Sequence, residues 1–392
     1  MARFTTPRET YFGRGCLDAL KTIEGKKALV IIGGGSVKRS GVLDKALEYL
    51  KEAGIETQVF EGVEADPSIE TVTKGADVMR AFEPDLIIPI GGGSPIDAAK
   101  TMWLLYEHPD ADIKNINPFN IPKLRNKAKM VAVPTTSGTA SEVTNASVIC
   151  DYATGFKFGV AGDEIIPDIA ILDPDVASTM TDSLIAFTGL DALTHSIESY
   201  VSKFANPFTD ANAFHAFKLV IANLEKAYAR DEEAMETMHY AQCLAGIAFC
   251  SAMLGINHSM AHSTGAIFEF GHIPHGQANS IYMPYVIQYN IQDARAKSRY
   301  AELAVAAGVS GANEDELIAG LIEKIRGLRK ALGIPNSLNE FEIPEEEFNE
   351  KLDSIATNAI NDSLTMSNPR PIDHDTFKKV LTYMYEGKDI DF

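Results

Sequence analysis

The sequence predicts a protein of two domains, an α/β domain followed by an all-helical domain. The first half alternates short apolar runs with stretches that repeat apolar residues at helical spacing, a pattern typical of a parallel sheet flanked by helices. After about residue 181, strand patterns almost vanish and long helical patterns take over. We therefore predict an α/β domain over residues 1–180 and a helical domain over residues 181–392.

The apolar runs of the first half are short enough to be buried strands, and helix signals lie between them. Ser68 is a candidate helix N-cap, and Gly54 is placed to end a helix. The predicted strands cover residues 28–32, 55–60, 85–90, 130–133 and 165–172, and the predicted helices cover residues 42–53, 69–82 and 95–106. In the second half, helical patterns cover residues 184–201, 209–228, 232–253 and 317–332.

The composition narrows the classes of function. The chain has 54 acidic against 35 basic residues and a formal charge of −19, which disfavours binding to nucleic acid or to an anionic membrane surface. It contains no apolar run long enough for a membrane span, and its start lacks the pattern of a signal peptide. The four cysteines are scattered, which favours reduced thiols and a cytoplasmic location.

Three polar, glycine-containing segments directly follow predicted strands. Glycine allows backbone N–H groups to approach a phosphate closely, and a helix N-terminus adds positive partial charge. Each segment alone could be a tight turn or a helix cap, but three at strand ends favour a dinucleotide site; ATP is less favoured, because the lysine of a phosphate-binding loop is absent. The segments contain Gly33, Gly34, Gly35 and Ser36; Gly91, Gly92, Gly93, Ser94 and Asp97; and the hydroxyl-rich stretch of residues 134–142.

The helical half contains two pairs of possible metal ligands at helical spacing. Asp191 and His195 lie four positions apart, as do His258 and His262, so each pair shares one face of a helix. His275 lies in the glycine-containing stretch that follows. A divalent cation would offset the cost of burying these groups. Imidazole and carboxylate ligands suit ferrous iron (Fe2+) or zinc (Zn2+), and the sequence leaves the choice open.

Together these motifs resemble those of the iron-containing (group III) alcohol dehydrogenases. Five motifs occur in the order found in that family, and the resemblance runs from Phe12 to about Arg370. It implies a Rossmann-like, dinucleotide-binding α/β domain and an all-α metal-binding domain, together forming a dehydroquinate synthase-like fold. The motifs begin at Gly33, Gly91, Pro134, Gly189 and Ile273.

The resemblance also implies roles for individual residues. The metal ligands would be Asp191, His195, His258 and His275, and His262 would help proton transfer beside the nicotinamide. His272 is a rival ligand because it lies 14 positions after His258, the spacing usual in the family. We prefer His275 for its Pro-His-Gly context. The segment from Gly91 to Asp97 would hold the pyrophosphate; Thr135, Thr136 and Thr139 would line the cofactor, and Lys157 would lie near the ribose.

The residues after the first predicted strand bear on the choice of cofactor. Many family members have an aspartate there, which would repel a 2′-phosphate. In this sequence the position falls within residues 33–36, which are followed by Lys38 and Arg39. The pattern resembles the butanol dehydrogenase and NADPH-dependent aldehyde reductase branch. We therefore expect NADP(H) to be preferred, with NAD(H) close behind.

The expected reaction is reversible hydride transfer between the nicotinamide and a small primary alcohol or aldehyde, such as butanol or butanal. A glycerol-type polyol dehydrogenase of the same fold is the nearest alternative. A metallohydrolase, or a metal-stabilised nucleotide-binding protein without turnover, is a more distant one. The resemblance also implies a homodimer or a larger homo-oligomer.

Overall fold

The structure is a computed structural model that describes residues 3–118, 120–153, 156–265, 267–268, 273–341 and 343–392. The chain divides into two compact units, Met1–Thr181 and Asp182–Phe392. The first unit is α/β, and the second is helical throughout its described part. This architecture confirms the predicted fold class.

The first unit is built on a parallel sheet. Among the described residues, six strands pair in the order β1-β8-β5-β4-β2-β3, every neighbouring pair parallel, and β6 and β7 form a separate antiparallel hairpin. The strands are β1 (Glu9–Phe12), β2 (Lys27–Ile32), β3 (Glu56–Phe60), β4 (Leu86–Gly91), β5 (Lys129–Pro134), β6 (Ala146–Asp151), β7 (Phe156–Ala161) and β8 (Ile169–Leu172). The helices are α1 (Ser36–Arg39), α2 (Val42–Glu52), α3 (Ile69–Phe82), α4 (Gly93–Glu107) and α5 (Pro174–Ala177).

Alternation along the central strands gives the sheet a hydrophobic core on each face. Leu29 and Ile31 of β2 belong to the cluster that contains Trp103 of α4, whereas Val30 and Ile32 belong to the cluster on the opposite face. Because helices cover both faces, the central strands are apolar along their whole length. The same parallel pairing brings the carboxyl ends of the strands to one edge.

The second unit is a bundle of helices in which α6, α7 and α8 pack against one another and α10 packs against α6 and α9. Most of the long predicted helices agree with the structure to within a few residues. The helices are α6 (Asp182–Val201), α7 (Pro207–Tyr228), α8 (Glu232–Ala252), α9 (Ile256–Thr264), α10 (His275–Asn290), α11 (Ala294–Ala306), α12 (Glu314–Ala331), α13 (Glu345–Asn361) and α14 (His374–Glu386).

Local signals explain several of the element ends. Ser68 caps α3 as predicted, since its side chain accepts a hydrogen bond from the Thr71 N–H. The predicted strand over residues 165–172 is too long: β8 begins only at Ile169, after Pro167, which has no N–H to give to the sheet. The sequence interpretation also missed β1 and the β6–β7 hairpin.

Within the described residues, no single helix is both long and apolar enough to cross a membrane. Only when taken together do helices α8 and α9 have the length and composition of a membrane span, and the two helices are bent by 103° relative to each other.

Candidate functional site

The first unit brings the three polar segments together at the carboxyl edge of its sheet. A Cβ added to Gly33 would lie 3.1 Å from the Val63 carbonyl oxygen and 3.2 Å from Pro95 Cγ. The turn after β2 therefore lies against both the loop that follows β3 and the start of α4. Gly34 has open space where a side chain would project. A ligand lying over Gly34 would meet backbone, whereas at Gly35 the Arg39 guanidinium lies over the turn, 2.5 Å from the position of an added Cβ.

The second glycine turn lies against the hydroxyl-rich segment. A Cβ on Gly92 would come within 3.2 Å of Thr136 Cγ2, and one on Gly93 within 3.0 Å of Thr139 Cγ2. The Thr135 N–H donates to the Gly91 carbonyl at 2.8 Å. These contacts join the start of α4, with its unpaired N–H groups, to a row of hydroxyl side chains. Such an edge can hold a pyrophosphate.

Asp97 and the neighbouring Lys100 join α4 to the β6–β7 hairpin. The Asp97 carboxylate accepts a hydrogen bond from the Val148 N–H at 3.0 Å, and burial raises the pKa of Asp97. Lys100 is fully buried, and its ammonium donates to the carbonyl oxygens of Thr144 and Ala146, each at 2.8 Å. Sequence reasoning gave Lys100 no role. The contact of Asp97 with a cofactor stays a prediction.

Both lysines predicted for the cofactor site form ion pairs with the loop that follows β3. Lys38 Nζ lies 2.5 Å from Glu61 Oε2, and Lys157 Nζ lies 2.7 Å from Asp66 Oδ2. A single acidic loop therefore holds cations from α1 and from β7. An incoming phosphate would have to compete with these carboxylates for the two ammonium groups.

In the second unit, three imidazoles converge on one carboxylate oxygen. Asp191 and His195 are on α6, His258 is on α9 and His275 begins α10. The Nε2 atoms of His195, His258 and His275 lie 3.7, 3.6 and 3.7 Å from Asp191 Oδ1. Asp191, His195 and His258 are buried, and their potential ligand atoms lie within 4.8 Å of one another. His272, the rival ligand, lies outside the described residues.

The donor set fits a divalent metal ion. Within the described part of the chain, the buried Nε2 atom of His258 has no hydrogen-bond partner, and it faces Asp191. Asn279 Nδ2 donates to Asp191 Oδ1 at 2.9 Å and to His275 Nε2 at 3.0 Å, so His275 Nε2 carries a lone pair beside the cluster, and a metal bound at that atom would replace the hydrogen bond from Asn279. Imidazole nitrogens around one carboxylate are ligands that iron and zinc accept.

Electrostatics in the metal-free cluster favour an ionised Asp191 and a protonated His258, so a metal ion would have to displace a proton from His258. Burial alone would raise the pKa of Asp191, but the neighbouring imidazoles outweigh it and hold this pKa well below its usual range. Burial would lower the pKa of His258, but the carboxylates of Asp191 and Glu198 raise it to about 9. Burial lowers the pKa of His275 well below its usual value, which keeps that imidazole neutral and able to bind a metal.

His262 lies beside the cluster and not within it. Its ring stacks on that of His275 with centroids 5.2 Å apart, and its Nδ1 lies 2.8 Å from Asp362 Oδ2. The side chain is one-third exposed, unlike that of His258, which is buried. Its Nε2 is therefore left for contacts other than Asp362, an arrangement suited to proton exchange.

Three residues at this site had no role in the sequence interpretation. Glu198 is hydrogen-bonded to His258, and Asp362 to His262. Asn279 is hydrogen-bonded to both Asp191 and His275. Glu198 lies seven positions after Asp191, so helical spacing alone places it on the same side of α6. That signal could have found Glu198. Asp362 reaches His262 from 100 positions away, and no spacing rule indicates it.

Known proteins are similar to this chain in both of its units. The family model for iron-containing alcohol dehydrogenase matches residues 7–174, and that for the C-terminal part of the Fe-containing alcohol dehydrogenase family matches residues 185–385. An NADPH-dependent butanol dehydrogenase of Clostridium saccharobutylicum is 53% identical over the full length of both chains. A bifunctional aldehyde-alcohol dehydrogenase of Escherichia coli is 40% identical over 98% of this chain, which spans 46% of that longer protein. The iron-containing alcohol dehydrogenase structure from Thermococcus thioreducens is 36% identical, has a TM-score of 0.91, and is matched over 98% of this chain and 100% of its own.

Proposed function

The chain belongs to the family of iron-containing alcohol dehydrogenases, and from that premise we propose that it reduces small aldehydes such as butanal with NADPH and catalyses the reverse oxidation of the alcohol. The main support for the proposal is that three imidazoles lie close to the buried Asp191 carboxylate in the second unit. The first unit has glycine turns and hydroxyl side chains close together at one edge of its sheet. The full-length likeness to an NADPH-dependent butanol dehydrogenase supports the choice of substrate and cofactor.

Asp191, His195, His258 and His275 would hold the metal ion. When bound, a divalent metal acts as a Lewis acid that polarises the carbonyl or lowers the pKa of the alcohol. Asp191 supplies the negative charge that partly neutralises the ion, and the three imidazoles supply neutral nitrogens. Asn279 would orient Asp191 through the hydrogen bond from its amide group to Oδ1. Ferrous iron is our first choice of metal, and zinc the alternative.

His262 would move the proton that accompanies hydride transfer. Asp362 fixes its ring through Nδ1, so Nε2 is the atom that takes up or releases the proton. His262 lies one helical turn from His258 and stacks on His275, which holds it close to the reacting oxygen in this assignment. Its partial exposure leaves it a path for exchange with solvent.

The sheet edge of the first unit would bind the dinucleotide. The nicotinamide supplies the hydride, and the protein's part is to hold it in place. Gly91, Gly92, Gly93 and the start of α4 would bind the pyrophosphate, with Thr135, Thr136 and Thr139 beside it. Gly33, Gly34, Gly35, Ser36 and Lys38 would meet the adenosine ribose and its 2′-phosphate, and Lys157 the other ribose.

The test is NADPH oxidation, followed by absorbance, with butanal as substrate. Apoprotein that has been reloaded with ferrous iron or zinc should turn over, whereas the metal-free protein should not. His195→Ala is the matched control, because it removes one imidazole and should bind little metal. NADPH should have the higher kcat/KM of the two cofactors. Equal or better use of NADH would overturn the cofactor preference, and no turnover with either cofactor would overturn the substrate assignment.

Two finer points belong to the same proposal. We infer a cytoplasmic location, supported by four scattered cysteines that are in the reduced form in the structure. We also infer a homodimer or larger homo-oligomer, supported by the family resemblance alone. Light scattering of the purified protein tests the second inference, and a monomer would contradict it.

A further inference from the structure

Glu198 places a buried carboxylate directly behind one of the proposed metal ligands. Its side chain is 3% exposed. Oε1 accepts a hydrogen bond from the Asn257 N–H at 2.9 Å, and Oε2 lies 2.5 Å from His258 Nδ1. Glu198 is on α6, one helical turn after His195, and it meets the first turn of α9. Gly255 allows this approach, since a Cβ there would lie 2.7 Å from Glu198 Oε1.

The two contacts require two acceptors on the same side chain. The Asn257 N–H is a backbone donor that cannot change its role. A carboxylate accepts at both oxygens, so its second oxygen accepts a hydrogen bond from His258 Nδ1–H. With that proton at Nδ1, a neutral His258 presents a lone pair at Nε2. This Nε2 faces Asp191 at 3.6 Å, where the metal ligands converge.

We propose that Glu198 is a positioning residue that fixes His258 in the tautomer that binds metal at Nε2. The inference rests on the proposed metal site and extends it by one residue. Glutamine has the same shape but only one acceptor oxygen, which would accept the hydrogen bond from the Asn257 N–H. The glutamine NH2 group would then donate to His258 Nδ1. Nδ1 would have to be the acceptor nitrogen, so the imidazole proton would be at Nε2. His258 would point an N–H bond at the metal.

Two substitutions separate this role from a merely structural one. Glu198→Gln keeps a partner for both donors through the other tautomer of a neutral His258, so its metal-free melting temperature should fall less than that of Glu198→Ala. Its affinity for zinc, titrated into apoprotein against a competing chelator, should fall by about 10- to 100-fold. Glu198→Ala leaves both donors unpaired, so it should lower the metal-free melting temperature as well.

Glu302→Gln is the matched control. Glu302 accepts a hydrogen bond from Tyr200 outside the cluster, so its loss removes one carboxylate from the same unit without touching His258. Zinc affinity of this variant should equal that of wild type. A loss as large as that of Glu198→Gln would mean that charge alone matters, and it would overturn the tautomer role.

The outcomes distinguish this inference from the proposed function. Wild type that takes up no metal overturns both. Wild type that takes up one metal per chain, with unchanged affinity in Glu198→Gln, overturns only the role of Glu198. Ring ¹⁵N NMR of zinc-loaded wild type gives a second measurement that needs no variant. It should show His258 protonated at Nδ1, and a proton at Nε2 would refute the assignment.

Discussion

His262 and His258 share one face of α9 but have different surroundings. His258 is buried between two carboxylates, whereas His262 is partly exposed and bonded to the Asp362 carboxylate. In the proposed site, this difference separates a group that would hold a metal from a group that would exchange a proton. Helical spacing alone cannot make this distinction, because it places both histidines on the same face of the helix.

We therefore expect His262→Ala to keep its metal and lose rate. General acid–base groups contribute about 10²- to 10⁴-fold, so kcat for butanal reduction should fall within that range. Metal content, measured on the purified variant, should remain at the wild-type value. Asp362→Asn should lower kcat in the same direction and also keep the metal. Loss of metal from His262→Ala would contradict the division of roles between the two histidines.

The sequence predicts the residues of the metal cluster better than it predicts the residues that orient them. Asp191 with His195, and His258 with His262, show their pairing through a spacing of four on a helix. Asn279 shows the same spacing, four positions after His275 on α10, but its contact with Asp191 spans 88 positions. Asp362 reaches His262 across 100 positions, and contacts of this length depend on how the helices pack.

At the scale of elements, the regular structure follows from local patterns and the hairpin does not. Apolar runs and caps predicted the central strands and most of the long helices to within a few residues. The β6–β7 hairpin lies outside the six-stranded sheet and is bonded to α4, where the buried Lys100 donates to the Ala146 carbonyl. Tertiary contacts of this kind override local propensity.

The loop after β3 is the element that bears on cofactor choice. Glu61 follows the carboxyl end of β3, next to the turn after β2, and it neutralises Lys38. Glu61→Gln should free that ammonium for a 2′-phosphate and remove a charge that repels it. Because the pair is exposed and screened by solvent, the ratio of kcat/KM for NADPH to that for NADH should rise by about two- to fivefold.

Glu52→Gln is the control for this prediction. Glu52 also pairs with an exposed lysine, Lys21, but it ends α2 and leads into the amino end of β3, at the opposite edge of the sheet. The two substitutions change the net charge equally. Only Glu61→Gln should alter the cofactor ratio, and an equal change in both would assign the effect to the overall charge of the protein.

At the scale of the whole molecule, the proposal assigns the dinucleotide to the first unit and the metal ion to the second. Trp103 is the only tryptophan in the chain, and it is buried in the first unit against Arg125. Its fluorescence therefore reports on the proposed dinucleotide-binding unit alone. Far-UV circular dichroism is dominated by α6 to α14 of the second unit, which contain most of the helical residues. The two signals can follow the two units separately.

A ligand stabilises the unit to which it binds by mass action. Removal of metal with a chelator should therefore lower the thermal midpoint seen by circular dichroism, with a smaller change in the Trp103 midpoint. NADP⁺ should instead raise the Trp103 midpoint, and it should do so in metal-free protein as well. Equal shifts of both midpoints with either ligand would show that the chain unfolds as one cooperative unit and would contradict the expectation that the two units unfold separately.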